Sequence, residues 1–486
     1  MRPTVRGRLD ASTGRTRPDL WVLVVFVMAM PAVGWASRTL DHRLMGALGL
    51  AIGVCAAIIL AERGQSAPRH AVHADRGPDT GLPNRHVLVA AWVSILILSE
   101  TRLLTRGAGR SPTNVVRGDV SIDIVLELAA FGATGLVLGI TLLRGWPTRV
   151  PPVVTGFLGL GFLAVASTAW ALIPNVTLVR SGQLLVLVLL CAATVGWVLT
   201  RPADGRLLLL GAHRWFVLGT ATLAVYAFAA GQGERLAIPG SHPIASGGLF
   251  GAALLALVSV PSPRRLVAPI PWTLLAALLS FALIETRSRG ALAAVATGLA
   301  VYAFQRARRS ARVAALLGSG VAAPLAAAAL LVGGAITTFV LRGQTIEQFT
   351  ALTGRRRLWS FILDNPAGSE LWGLGYAGNR TVLLREFPWA GHAHNSWMDL
   401  LQTLGILGVG SMAGLTLALV LLGLRHDVTV TLTFTAFAVV MSVTDDAFAQ
   451  PAMAMGVLLL AVAWLYAASP TGHTEGDPPD GRVAHA

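Results

Sequence analysis

Apolar runs of 17 to 25 residues recur along almost the whole of this 486-residue chain. Each is long enough to cross a hydrocarbon core of about 30 Å as a helix. Backbone groups in lipid are satisfied only in helices or closed barrels, and continuous rather than alternating apolar runs select helices. With 54% hydrophobic and 13% charged residues, a soluble enzyme carrying one anchor is excluded. The expected fold is therefore all-α: a polytopic integral membrane protein with 12–14 transmembrane helices.

Spans are expected near 20–36, 44–61, 86–104, 122–143, 152–173, 178–199, 213–230, 243–260, 270–285, 290–305, 313–340, 396–424, 428–444 and 451–468. The net charge of +14 comes from arginine alone, since the chain has no lysine. These arginines are dispersed among short loops, so they speak for orientation in the membrane and not for nucleic acid. With both termini cytoplasmic, 201–214 and 306–312 are among the inside connections, and about 22 of the 38 arginines lie inside. The densest basic turn holds Arg306, Arg308, Arg309 and Arg312. The chain then divides into a basic cytoplasmic tail at 1–19, an N-terminal set of helices at 20–149, a main transmembrane domain at 150–468 and a disordered cytoplasmic tail at 469–486. The Arg-rich start and first apolar run look like a secretory signal, but further spans follow at once and imply an uncleaved helix. Segment 341–395 is too long for an ordinary connection and carries Trp359, Phe361, Trp372, Tyr376, Phe387 and Trp389. That much apolar surface predicts a small, ordered, helical external cap. Cys55 and Cys191 both fall inside apolar runs, so no disulfide framework is readable.

Where this cap meets the next span stands His394-Asn395, followed after nine residues by Gly405-x-x-Gly408. An imidazole at a membrane edge asks for a reason, and the later glycines allow close packing. Together with three further segments this stretch resembles the O-antigen ligase and polymerase family of bacterial membrane glycosyltransferases. The other segments are Thr286-Arg287-Ser288-Arg289-Gly290, then Gly354-Arg355-x-x-Leu358-Trp359 with Asn365-Pro366 and Gly373-Leu374-Gly375, and finally Ser167-Thr168-Ala169-Trp170 through Pro174, Thr177 and Arg180. The likeness extends over about residues 150–460. It implies transfer of a glycan from a polyprenyl-diphosphate carrier to a glycan, lipid or protein acceptor outside the cytoplasmic membrane. It further implies inversion at the anomeric centre, with no metal and no cofactor.

Charge bias places Arg180, Arg287, Arg289, Arg355 and His394 on the outer face independently of that likeness. Guanidinium groups stay charged and grip phosphate oxygens in pairs, which suits all four arginines to a pyrophosphate at the headgroup level. The bland alternative for each is an interfacial anchor or a solvated face. His394 is the candidate general base for the acceptor hydroxyl; neighbouring arginines would hold it neutral. Asn395 caps the helix or orients His394, while Asp445 and Asp446 are candidates to support the base. His392-x-His394 could suggest zinc, but no third ligand stands near in sequence, and Gly373-x-Gly375-x-x-Gly378 lacks the strand–helix setting of a dinucleotide site. A polymerase joining lipid-linked repeats is the alternative within this chemistry. A lipid-linked oligosaccharide flippase is the rival outside it, disfavoured because Glu100, Glu127, Glu285 and Asp399 fall near span ends and not at the midplane.

Overall fold

A computed structural model describes residues 83–101, 122–143, 150–230, 235–260, 269–310, 354–365 and 370–468. The spans expected at 20–36, 44–61 and 313–340, the two tails, Cys55 and Arg312 lie outside the described residues. Among the described residues there are thirteen α-helices and no strand. They are α1 (Arg85–Leu98), α2 (Ile122–Leu143), α3 (Pro152–Ala166), α4 (Pro174–Thr200), α5 (Pro202–Ala230), α6 (Pro243–Ser259) and α7 (Pro269–Glu285). After these come α8 (Arg289–Arg309), α9 (Arg355–Asp364), α10 (Arg380–Glu386), α11 (Ser396–Arg425), α12 (Thr429–Thr444) and α13 (Met453–Ala468).

Five of these described helices open on proline (Pro152, Pro174, Pro202, Pro243 and Pro269). Proline has no N–H to leave orphaned in the first turn, and its fixed φ suits a helix start. Pro202 corrects one expectation, because 201–214 is not a connection but the first turns of α5. Asp204, Arg206 and Arg214 interrupt the apolar run and hide this helix from a hydropathy reading. Gly205, Leu208, Leu209, Ala212 and Phe216 nevertheless form a buried stripe at helical spacing.

Among the described residues, five stretches are long and apolar enough to cross a membrane: Asp123–Leu143, Pro152–Ala169, Pro174–Thr200, Pro202–Ala230 and Ser396–Arg425. Shorter apolar helices complete a polytopic bundle. Helix α13 is its axis, buried from Met453 to Leu465 and packed against α1, α4, α5, α6 and α12. Outward faces of α2, α3, α7, α8 and α11 present Leu136, Phe162, Leu274, Phe304 and Leu417, the apolar perimeter a protein in lipid needs.

The helices alternate in direction, so their ends collect at two faces. At one, Ser241 Oγ donates to the Glu100 carbonyl (2.7 Å) and the Met453 amide donates to Glu100 Oε1 (3.0 Å), joining the ends of α1, α6 and α13. At the other, Arg85 pairs with Asp204 (3.0 Å) and Arg309 with Asp427 (2.7 Å). Helices α9 and α10 sit at the first face around a small apolar cluster of Leu358, Ile362, Leu383, Phe387, Ala390 and Ala393.

Gly405, one of the glycines expected to allow close packing, does so at a break in its own helix. Gly405 takes φ +64° and ψ −161°, breaking α11 internally. The break frees the Gln402 carbonyl for the Leu374 amide (2.9 Å) and turns the Ile406 amide to the Glu370 carbonyl (2.9 Å). Gly373 and Gly375, also left-handed, let this turn lie on the kink and on Ala171 without side-chain interference. Gly405→Ala would meet the Leu371 carbonyl as well as the left-handed penalty, a cost on the order of 1–3 kcal/mol. It is expected to lower the thermal midpoint of the detergent-solubilised protein by several degrees. Gly410→Ala, with nothing within 4 Å of the added carbon, should leave the midpoint unchanged or raise it. Equal midpoints for the two variants would remove the kink from this account.

Candidate active site

The loop 391–394 is fixed through its backbone. Arg380 Nε donates to the Gly391 carbonyl (3.1 Å), the Ala393 amide donates to Asp399 Oδ1 (2.9 Å), and Trp359 Nε1 donates to the Ala393 carbonyl (2.9 Å). Asp399, buried in the first turn of α11, also accepts from Asn379 Nδ2 (2.6 Å). Asn395 is the N-cap, its Oδ1 taking the amides of Trp397 (2.9 Å) and Met398 (3.2 Å), which is the capping role expected of it. Ser396 Oγ donates to the Asp445 carbonyl and accepts from the Phe448 amide, each at 2.9 Å, and so joins the start of α11 to the loop after α12.

His394 emerges from this frame in the left-handed region, at φ +52°. Its ring stacks on Trp389 (centroids 6.1 Å, planes 13° apart) and lies against the His392 ring (4.0 Å). Its Nδ1 is buried, makes no hydrogen bond, and stands 4.0 Å from Asp445 Oδ1. Burial, with His392, Arg355 and His242 adding positive field, pushes the His394 imidazole down to about 2, so the resting ring is neutral. Burial and the adjacent Asp446 carboxylate push Asp445 up from the ordinary carboxylate range. Asp446 stands 3.6 Å from His392 Nδ1 and accepts from Gln450.

Cations approach from three sides. Of the run Arg355–Arg357 only Arg355 turns inward, its Nη1 donating to the Thr444 carbonyl (3.0 Å) directly before Asp445. Gly290, the second residue of α8, abuts Thr444 and brings Arg289 to the same point. Burial and the Arg289 charge lower the Arg355 guanidinium, while Asp445 raises it. Arg287, exposed and left-handed at φ +50°, occupies the α7–α8 turn, whose Thr286 and Ser288 are buried. Arg235, which the sequence reading missed, donates through Nε to the Thr286 carbonyl (2.9 Å) and has a buried Nη2 without a partner. Burial and the fields of Arg287 and Arg289 lower it. No motif surrounds Arg235; only the fold reveals it.

The structure thus brings His394, Asn395, Arg289, Arg355, Asp445 and Asp446 together, with Arg287 at their margin. Arg180 is held differently, in an ion pair with the buried Glu127 of α2 (2.8 Å) and bonded to Gln183 (3.0 Å). Burial raises the Tyr376 hydroxyl; the fields of Arg180, Asp446 and Asp399 all reach it. Ser167 and Trp170 act as docking points for the Gly373–Tyr376 turn: Ser167 Oγ accepts the Tyr376 amide (2.9 Å) and Trp170 packs edge-on against Trp372 (5.7 Å).

The side chains that could hold a metal fall into two overlapping groups. His392, His394 and Asp445 bring one ligand atom each within 4.8 Å of one another, as do His392, Asp399 and Asp446. The third ligand that seemed missing is supplied by distant residues, so the His392–His394–Asp445 set could hold a cation. Chemically, the whole arrangement pairs a neutral base and a carboxylate with guanidinium groups fit for a phosphate anion.

Residues 274–413, from α7 through the kink of α11, match the family model described as O-Antigen ligase. The matched segment holds Arg287, Arg289, Arg355, His394 and Gly405, while Arg180, Asp445 and Asp446 lie beyond it. No curated protein matches the chain. Over residues 274–413, then, this polytopic helical membrane protein is similar to the O-antigen ligase family.

Proposed function

We propose that the chain is a membrane glycosyltransferase of the O-antigen ligase type. It moves a glycan from a polyprenyl diphosphate to an acceptor hydroxyl at the outer face of the cytoplasmic membrane, with inversion and without a metal. The observation that carries this reading is the meeting of Arg289 and Arg355 with a neutral His394 that faces Asp445, all at one end of the bundle. The opposite end carries Arg201, Arg206, Arg306, Arg308, Arg309 and Arg425, which supports a cytoplasmic assignment there.

In this reading the acceptor oxygen attacks the anomeric carbon as the bond to the diphosphate oxygen breaks. The electron pair leaves with the diphosphate, where Arg287, Arg289 and Arg355 stabilise the growing charge. Arg180 contributes least, since Glu127 already holds its charge. The acceptor proton passes to His394, with Asp445 beside it to balance the imidazolium. An imidazole held near 2 is a poor base at neutral pH. Burial is the main cause of that lowering, and a diphosphate bound beside Arg355 opposes the smaller part that comes from positive charge, so the base gains strength when the donor is in place.

Replacing His394 by Ala, or Arg289 by Ala, is expected to abolish the surface glycan in cells. Accumulation of full-length lipid-linked glycan identifies a ligase, single lipid-linked repeats identify a polymerase, and unchanged glycans reject both. In purified protein, Arg355→Ala removes a charged phosphate contact of about 1.5–3 kcal/mol, weakening donor binding roughly 10- to 100-fold, whereas the exposed Arg356→Ala should change it little. For orientation, a cysteine replacing Trp389 should react with an impermeant maleimide on intact cells, and one replacing Arg308 should not. The reverse labelling would turn the site toward the cytoplasm and end this reading.

A further inference from the structure

We propose that His392, His394 and Asp445 form a zinc site, and that an ion held there switches transfer off. The inhibitory half of this inference rests on the transfer reading above; the binding half does not. A ring nitrogen of each histidine and a carboxylate oxygen of Asp445 all lie within 4.8 Å of one another. Neighbouring ligand atoms around a tetrahedral zinc ion stand about 3.3 Å apart, so modest side-chain rotations close the site. Two imidazoles and one carboxylate suit a borderline ion such as Zn2+ better than the harder Ca2+ or Mg2+. Three protein ligands leave the fourth position to water.

The ligand atoms are both available and held in place. His394 Nδ1 makes no hydrogen bond and is the nitrogen that faces Asp445, 4.0 Å from its Oδ1. Trp389 stacks on the His394 ring, and Ser396 Oγ holds the Asp445 carbonyl at 2.9 Å. The side chains of His392, His394 and Asp445 are 23%, 21% and 19% exposed, open enough to admit an ion and sheltered enough to keep it. The overlapping set of His392, Asp399 and Asp446 is less free. Asp399 already accepts from Ala393 and Asn379, and Asp446 accepts from Gln450. Arg289 and Arg355 oppose a further cation, and the carboxylates of Asp399, Asp445 and Asp446 offset them. The effect on His394 follows from its two nitrogens. With the metal on Nδ1, the neutral ring keeps its proton on Nε2 and has no lone pair left to take one from an acceptor hydroxyl.

The test uses the full-length, chelator-treated protein in nanodiscs, titrated with Co2+ as a coloured stand-in for Zn2+, alongside turnover on a polyprenyl-diphosphate glycan. Co2+ should produce the visible absorption of a four-coordinate site, and Zn2+ should erase it. His392→Ala and Asp445→Asn should each weaken Zn2+ binding by more than the roughly 10- to 100-fold that losing an outer partner of a metal site costs. His392→Cys, which offers a thiolate in the same place, should recover most of that loss, whereas a merely misfolded loop would not. In the unmodified protein, turnover should fall by half at the Zn2+ concentration that half-fills the site, and a chelator should restore it. No Co2+ absorption, or absorption that survives unchanged in both weakened variants, overturns the site. Bound Zn2+ with turnover undiminished or raised, or inhibition at a concentration unrelated to filling, overturns its inhibitory role. A Co2+ site that responds to the variants as described, in a protein that transfers no glycan with or without metal, would sustain the site and reject the transfer reading together with the inhibition.

Discussion

The carboxylate of Asp399 is the contact on which the site depends. It lies buried one turn into α11 and takes the Ala393 amide and the Asn379 side chain on a single oxygen. Unmaking either bond would leave a buried charge with too few donors, a far larger cost than the bond itself contributes. Asp399 therefore fixes the loop ahead of its own helix, and through Asn379 it fixes the start of α10. With Trp359 on the Ala393 carbonyl and Arg380 on the Gly391 carbonyl, the loop has little freedom left. His394 is held at an unfavourable φ by neighbours that are each in ordinary conformations.

The rest of the architecture delivers charge to that loop. Alternating helices bring the start of α8, the end of α12 and the start of α11 to one face, while the kink at Gly405 ties the 370–376 turn beneath them. Arg289 and Arg355 arrive from separate elements, Arg355 bonding the Thr444 carbonyl and Gly290, the neighbour of Arg289, packing on the Thr444 side chain. Their mutual repulsion and desolvation are unfavourable in the resting protein, as the lowered Arg355 guanidinium records. A site that concentrates unfavourable positive charge favours an anion strongly when one enters.

Much of the fold was legible because lipid imposes a simple rule on sequence. The run at 122–143 became α2 with the bounds expected, since its two carboxylates, Asp123 and Glu127, fall near its start and no charged residue follows them. The start of α5 was hidden because Asp204 and Arg206 face away from a buried stripe too short to register as apolar. In the site, His394, Asn395, Arg289 and Arg355 stand in spaced motifs and could be named from the sequence. Arg235 and Ser396 could not: each acts through backbone groups that only tertiary structure brings near. The Glu127 partner of Arg180 and the Asp445 partner of His394 lie 53 and 51 positions away in the chain, a separation that spacing does not encode. Gly405 was legible as a motif residue but not as a kink, since its left-handed φ answers a turn from elsewhere in the chain.

The claim at the centre is that guanidinium groups at one end of the bundle grip a diphosphate beside a neutral imidazole. Dipolar recoupling between phosphorus and nitrogen, on protein labelled with 15N-arginine and 15N-histidine and loaded with polyprenyl diphosphate in nanodiscs, measures that proximity directly. The account predicts phosphorus signals dephased by arginine side chains, with the effect lost in the paired Arg289→Gln and Arg355→Gln variant, and a His394 signal that titrates nearer neutrality once loaded. Phosphorus signals blind to arginine nitrogen, or equally dephased in that variant, would contradict it.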